Sequence, residues 1–231
     1  MSVDVLLSDV RAGYGGVEVL HGVDLAVPAR GITALLGRNG AGKSTTLAAV
    51  AGLVRVRSGT VSWAGADITR WSVRRRAEAG LVLVPERRGI FAELSVADNL
   101  ELFAPDAAER ARVPDVFAAF PALQQRLAQR AGSLSGGEQQ MLAMSRVLLQ
   151  RPALLLLDEV SFGLAPQVTG QLFDVVESLA RDCTVLLVEQ YVEDALRLAE
   201  VVYVLERGQV TFAGEAGELR GRALPLSRQG V

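Results

Sequence analysis

Apolar and polar residues alternate over Val3 to Val10 and again over Val17 to Val27, which predicts two strands joined through the glycine-rich turn Gly13 to Gly16. Ile32 to Leu36 is a short apolar run, read as a strand that enters a second glycine-rich stretch, and helical residues resume from Lys43 to about Ala51. Thr60 to Trp63, before a turn at Gly65, and Leu81 to Val84 read as further strands. From Ser95 to about Arg130 the alternation is lost, and the segment reads as helical, punctuated by Pro105, Pro114 and Pro121. Gly136 to Gln150 is predicted as one more helix, with Leu142, Met144, Val147 and Leu148 on its apolar side. Strand and helix then alternate: Leu154 to Leu157, Gln167 to Ala180, Val185 to Val188, Val192 to Ala199. Val201 to Leu205 and Val210 to Phe212, about a turn at Arg207-Gly208, form a hairpin signature.

Strands that alternate with helices imply an α/β fold with a mainly parallel sheet covered on both faces. The helical stretch interrupts that pattern, so residues 88–150 are read as an inserted lobe. Residues 1–87 and 151–231 then form the core with its N-terminal β-rich region, in a single unit of 231 residues. Arg74, Arg75 and Arg76 read as a solvated helix face.

Composition narrows the function classes. A formal net charge of -2 argues against a nucleic-acid backbone as partner, which needs a basic face. No apolar run approaches the ~18 residues of a membrane span, and no basic and apolar leader is visible, so a soluble, cytoplasmic chain is expected. Cys183 is the only cysteine, which excludes an internal disulfide and a multi-cysteine metal site, and it reads as a packing residue. His21, the only histidine, reads as a turn or surface residue, so histidine relays have nothing to draw on.

Lys43 is the only lysine among 24 basic residues, and its position carries chemistry. Gly37-Arg38-Asn39-Gly40-Ala41-Gly42-Lys43-Ser44 fits G-x-x-x-x-G-K-[ST], the phosphate-binding loop between a strand and a helix. The glycines let backbone N–H groups point inward, where the helix N-terminus adds positive potential. A compact ammonium fits between phosphates where a planar guanidinium does not. Lys43 is thus the residue for the β- and γ-phosphates, and the Ser44 hydroxyl, with Thr45 beside it, for Mg²⁺ and phosphate. Charge-assisted hydrogen bonds contribute about 1.5–3 kcal/mol each. Roughly four or five of them account for micromolar affinity for ATP.

Two further elements complete the site. The apolar strand Leu154 to Leu157 ends in Asp158-Glu159, which sets one carboxylate to hold Mg²⁺ and the next to polarise an attacking water. Leu134-Ser135-Gly136-Gly137-Glu138-Gln139 reads as a helix start with Ser135 and Glu138 in a capping box, and as a second anion-binding terminus.

With these residues the chain resembles, over nearly its whole length, the nucleotide-binding subunits of ATP-binding cassette transporters. LSGGEQQ at 134–140 is similar to their signature sequence, with the phosphate loop before it and LLLLDE after it. The resemblance implies a P-loop, RecA-like core with an N-terminal antiparallel β subdomain and an inserted helical signature subdomain. It implies head-to-tail pairing with a second cassette, identical or different, so that Ser135, Gly136, Gly137, Glu138 and Gln139 act on ATP held by the partner. Tyr14 would stack on adenine. Membrane permease subunits and a substrate-binding protein are further implied partners, which puts the chain peripherally on the inner face of the membrane. The segment Glu86 to Phe91 would be the permease docking surface.

Several positions depart from the general family pattern: Glu86 stands where many cassettes have glutamine, Gln190 where most have histidine, and Ala165 where an aspartate is usual. Glu86, implied as a metal contact, Gln190, implied at the γ-phosphate, and the GLAP stretch are similar to the branched-chain amino acid importer subgroup. Val160 replaces a proline that normally follows the catalytic glutamate, a change expected to relax the backbone. Soluble cassette ATPases usually carry two cassettes or a long coiled coil, and P-loop kinases and GTPases lack the LSGGEQ element. Neither alternative fits as well, whereas a cassette of another ABC system, for urea, amides or lipid export, stays open as an alternative.

Overall fold

The computed structural model describes residues 3–219. Its first strands are β1 (Val3–Tyr14), β2 (Val17–Pro28) and β3 (Gly31–Leu36), followed by α1 (Lys43–Ala51), β4 (Val56–Trp63), β5 (Ala66–Asp67), α2 (Val73–Glu78) and β6 (Leu81–Val84). β1 pairs antiparallel with β2 and β4, giving a four-stranded sheet in the order β2-β1-β4-β5. β1 runs further than its alternation predicted: Gly13 and Tyr14 pair with Glu18 and Val17, so the turn contracts to Gly15-Gly16. β4 likewise begins at Val56, because Arg57 and Ser58 are exposed ladder residues whose polarity hides the strand.

The helices α3 (Val96–Phe103), α4 (Ala107–Arg110), α5 (Val113–Ala119), α6 (Pro121–Gln124) and α7 (Gly136–Gln150) follow β6 in the chain. The expected helical stretch is therefore segmented rather than continuous. Ser95 and Asp106 each start a helix with a capping box, and prolines occupy the first turns of α5 and α6, where a missing N–H costs nothing. On α7 Leu142, Met144 and Val147 are fully buried, and Leu149 joins them in place of Leu148, which is half-buried.

β7 (Leu154–Asp158), α8 (Pro166–Ala180), β8 (Thr184–Glu189), α9 (Val192–Leu198), β9 (Val201–Glu206), β10 (Gln209–Glu215) and α10 (Ala216–Leu219) complete the described chain. The second sheet has six strands in the order β10-β9-β3-β8-β7-β6, parallel throughout except for the β9–β10 hairpin. Its central strands are mostly apolar on both faces because both faces are buried, the polar exceptions being Thr33, Asp158, Thr184 and Glu189. Alternate residues serve two cores. Leu155, Leu157, Val185 and Leu187 pack with the helical segment and α8, whereas Leu154, Leu156, Leu186 and Val188 pack with α1 and the antiparallel sheet. Burying each leucine stabilises the fold by roughly 1.5–3 kcal/mol. Cys183 is buried as a packing residue, and burial pushes its thiol up to about 11.

The reading of the three arginines is corrected. Arg74 and Arg75 are exposed, but Arg76 is 2 % exposed, and its guanidinium donates to the carbonyls of Ala49, Val50, Ile68, Thr69 and Trp71. It closes the C-terminal end of α1, where the helix leaves carbonyls without intrahelical donors. His21 lies within β2 and is half-exposed, as its surface reading had it, with Nδ1 3.1 Å from Glu18 Oε1.

Candidate active site

The carboxyl ends of β3, β8 and β7 are adjacent, with Leu36 beside Glu189 and Val188 beside Asp158. The segments that follow these strands therefore meet at one edge of the sheet, the position where open α/β sheets bind ligands. They are the glycine loop, Gln190 and Glu159.

The loop's shape follows from two glycines. Gly42 has φ 109, a conformation that side chains rarely adopt, and its carbonyl accepts the Thr46 N–H at 2.9 Å. Gly37 passes so close to β9 that a Cβ there would lie 2.4 Å from the Leu205 carbonyl oxygen. α1 has no side-chain cap and no acidic residue in its first turn, so its N-terminal N–H groups are directed at the loop's interior.

Lys43 is 4 % exposed, and its ammonium donates to the Gly37 carbonyl at 2.9 Å and pairs with Glu159 Oε1 at 3.2 Å. Ser44 donates its hydroxyl to Asp158 Oδ1 at 3.0 Å. A cleft of about 280 Å³ brings Asn39, Gly40, Gly42 and Thr45 together with Lys43, Ser44, Glu86 and Glu159. Val19, an unflagged strand residue, forms its apolar wall. A larger cleft of about 710 Å³ opens between the C-terminal end of α1 and Trp71, and none of the expected site residues lines it.

Electrostatics mark the same edge. Burial pushes Asp158 up to about 6, opposed by the Ser44 hydrogen bond and reinforced by the nearby charges of Glu159 and Glu86. A carboxylate-rich edge of this kind favours a cation. Among the described residues no three His, Cys, Asp or Glu side chains form a ready cage. Ser44, Asp158 and Glu86 instead offer an incomplete oxygen set, which suits Mg²⁺, an ion that takes one or two carboxylates and completes its shell with phosphate and water.

Glu159 adopts φ 49, with its N–H bonded to the Val188 carbonyl at 2.9 Å. A left-handed conformation costs a non-glycine residue about 1–2 kcal/mol. Val160, which follows it, is fully buried. Glu189, which sequence reasoning passed over, is also fully buried, and burial pushes its carboxyl up to about 7. Its signal was present as the one charged residue closing an otherwise apolar strand, VLLVE.

The other expected residues take different places. Gly37 and Ala41 are buried under the loop, and Arg38 is exposed on it. Gln190 is half-buried, and Tyr14 is exposed at the tip of β1; neither lines the cleft. Ser135 caps α7, accepting the Glu138 N–H at 3.3 Å while Glu138 accepts the Ser135 N–H at 2.9 Å. That backbone hydrogen bond from Ser135 lowers the Glu138 carboxyl from its ordinary value, and Arg126 adds to the effect. Gln139 accepts from Arg88 at 2.6 Å, so Glu138 and Gln139 orient the helix start while Ser135 and Gly136 remain exposed. This terminus does not line the cleft of its own chain. Ala165 is the exposed N-cap of α8. Phe91 is 52 % exposed, and the buried Asn99 side chain holds its backbone through bonds to the N–H and carbonyl.

A phosphate loop, a carboxylate pair at the next strand but one and a separate capped glycine helix start define a P-loop nucleotide-binding cassette. The ABC transporter family profile matches residues 20–161, and the chain belongs to that family as an ATP-binding cassette with ATPase function. It is similar to the high-affinity branched-chain amino acid transport ATP-binding protein BraG of Pseudomonas aeruginosa, 41 % identical over 207 residues, covering 88 % of this chain and 89 % of that protein. The probable branched-chain amino acid transport ATP-binding protein LivF of Archaeoglobus fulgidus is 39 % identical over 215 residues, covering 91 % of each. A solved ATP-binding subunit of an ABC transporter superposes with a TM-score of 0.82 at 27 % identity, covering 94 % of this chain and 92 % of that one. Among the described residues no helix is long and apolar enough to cross a membrane.

Proposed function

We propose that this cassette drives import of branched-chain amino acids by binding Mg²⁺–ATP at the Lys43 loop and hydrolysing it with Glu159 as general base. The observation that carries the chemistry is the convergence of Lys43, Ser44, Asp158 and Glu159 within hydrogen-bonding distance at one sheet edge. The cargo reading rests on the names of the two relatives near 40 % identity. Water attacks the γ-phosphorus, Glu159 takes its proton, and the bond to the β–γ bridging oxygen breaks to leave ADP and phosphate. Ser44, Asp158 and Glu86 would hold Mg²⁺, which neutralises phosphate charge. The Gln190 amide has no acid–base chemistry near neutrality and serves as a hydrogen-bond donor to the γ-phosphate.

Ser135 to Gly137, which do not line the chain's own cleft, would meet nucleotide on a second cassette, with Tyr14 against the adenine. The segment from Glu86 to the exposed Phe91 would seat a membrane permease. A substrate-binding protein would deliver cargo on the far side. Radiolabelled leucine, isoleucine and valine uptake tests this reading in cells lacking the chain. Uptake should fall and be restored by the wild type but not by Glu159→Gln, and purified Glu159→Gln should bind ATP while losing hydrolysis by about 100-fold or more. Unchanged uptake without the chain would overturn the cargo, and full ATPase activity of Glu159→Gln would overturn the general base.

A further inference from the structure

Glu189 is a carboxylate with 0 % exposure, and no lysine or arginine pairs with it among the described residues. Burial of an unpaired carboxylate is unfavourable, and the leucines and valines before it on β8 show that the strand itself asks only for apolar bulk. What the carboxylate gains is specific. One oxygen accepts the Ser161 backbone N–H at 3.2 Å and the other accepts the Ser161 hydroxyl at 2.8 Å. The Gln190 backbone N–H also favours its charged form. Ser161 is itself 3 % exposed, so no water competes freely for these bonds.

The location gives the clasp its meaning. Ser161 lies two residues beyond Glu159, and Glu189 immediately precedes Gln190, so the bonds join the two segments that flank the reacting phosphate. Glu159 occupies a strained left-handed conformation, which persists only where its surroundings over-determine it. It is pinned on both flanks to the same strand: its own N–H to the Val188 carbonyl at 2.9 Å, and Ser161 to Glu189.

We propose that Glu189 is a positioning residue for hydrolysis, its carboxylate clasping Ser161 so that the Glu159 side chain is held in register with Gln190. The inference rests on the reading of Glu159 as general base. A loosened clasp lets the glutamate drift from the attacking water while leaving the Lys43 loop intact, so chemistry suffers and nucleotide binding does not. Displacements of about 1 Å in such groups cost up to about 100-fold in rate.

Steady-state ATPase kinetics on the purified chain, with nucleotide affinity and thermal midpoint measured in parallel, test this. Ser161→Ala and Glu189→Leu should each lower kcat by about 10-fold or more, with KM and nucleotide Kd within about twofold. The double variant should be no slower than the slower single one, because both remove one clasp. Glu189→Gln, which keeps an acceptor oxygen, should recover kcat to within about threefold of wild type. Should Glu189→Leu fail to fold, the conservative Ser161→Ala decides alone. If Glu159→Gln is inactive while Ser161→Ala and any folded Glu189→Leu run at wild-type kcat, the clasp is wrong. A rise in KM with kcat unchanged would also overturn it. If Glu159→Gln itself keeps full activity, the general-base reading fails instead.

Discussion

Replacing Arg76 by methionine should destabilise the fold far more than any change at its two arginine neighbours. The side chain is 2 % exposed and donates to five backbone carbonyls. Two of them, Ala49 and Val50, belong to the last turn of α1, and the other three lie on the segment that leads into α2. A positive charge at a helix C-terminus also meets the negative end of the helix dipole, which is what makes an unpaired buried guanidinium tolerable. Burial nevertheless pulls its pKa below the usual arginine value. Methionine keeps the apolar stem but supplies no donor. Each buried carbonyl left unmet costs about 1–3 kcal/mol. Ala49 keeps a second donor in the Gly52 N–H at 3.2 Å, and the neighbouring cleft admits water to others. The net loss expected is therefore about 3–5 kcal/mol, a large share of the roughly 5–15 kcal/mol by which domains are stable. Urea unfolding followed by circular dichroism reads it directly, as a lowered midpoint with an unchanged slope. Arg75→Ala is the control: its guanidinium lies 4.0 Å from the Trp71 ring centroid in an exposed stack, worth about 0.5–1 kcal/mol. An Arg76→Met protein within 1 kcal/mol (about the size of the control) of wild type would refute the account of Arg76 as the closure of α1.

Lys43→Arg should weaken ATP binding by about 100-fold despite conserving charge, because a planar fork cannot enter the loop where the ammonium sits 2.9 Å from the Gly37 carbonyl; equilibrium dialysis with labelled nucleotide checks it. The buried Glu189 carboxyl predicts a pH dependence of stability. Its value in the folded state is raised from 4.5 to about 7, so protonation is favoured by folding. That contribution is fully present below about pH 4.5 and lost as pH rises through about 7. Glu189→Gln removes the titration. Its unfolding free energy in urea should gain on wild type across that interval, by at most about 3 kcal/mol at pH 8, and a constant difference between pH 5 and 8 would contradict the assignment.

What the sequence made legible was whatever a short window determines. Gly37 to Ser44 bends as it does because of its own glycines, and the strands β3, β7 and β8 announce themselves by short, mainly apolar runs, since both faces are buried. The capping box at Ser135 and Glu138 is equally local and was readable in the same way. Arg76 was not, because two of the five carbonyls that it satisfies come from α1, 26 and 27 residues earlier. Three arginines in a row look alike until the helix fixes which of them points inward. Glu189 was hidden for a related reason: its partner Ser161 is 28 residues away and meets it only through the pairing of β7 with β8.

The two oversights share a chemistry. In both, a charged side chain is buried without an opposite charge among the described residues and holds backbone groups of a segment distant in sequence. An apolar side chain in either place would fill the space but leave those groups undirected. The phosphate loop supplies the donors for a nucleotide by itself, but the direction of Glu159 is set by a strand that it never touches in sequence. Binding is therefore written locally along this chain, and hydrolysis depends on the register between β7 and β8. Substitutions in the first class should move KM, and those in the second kcat.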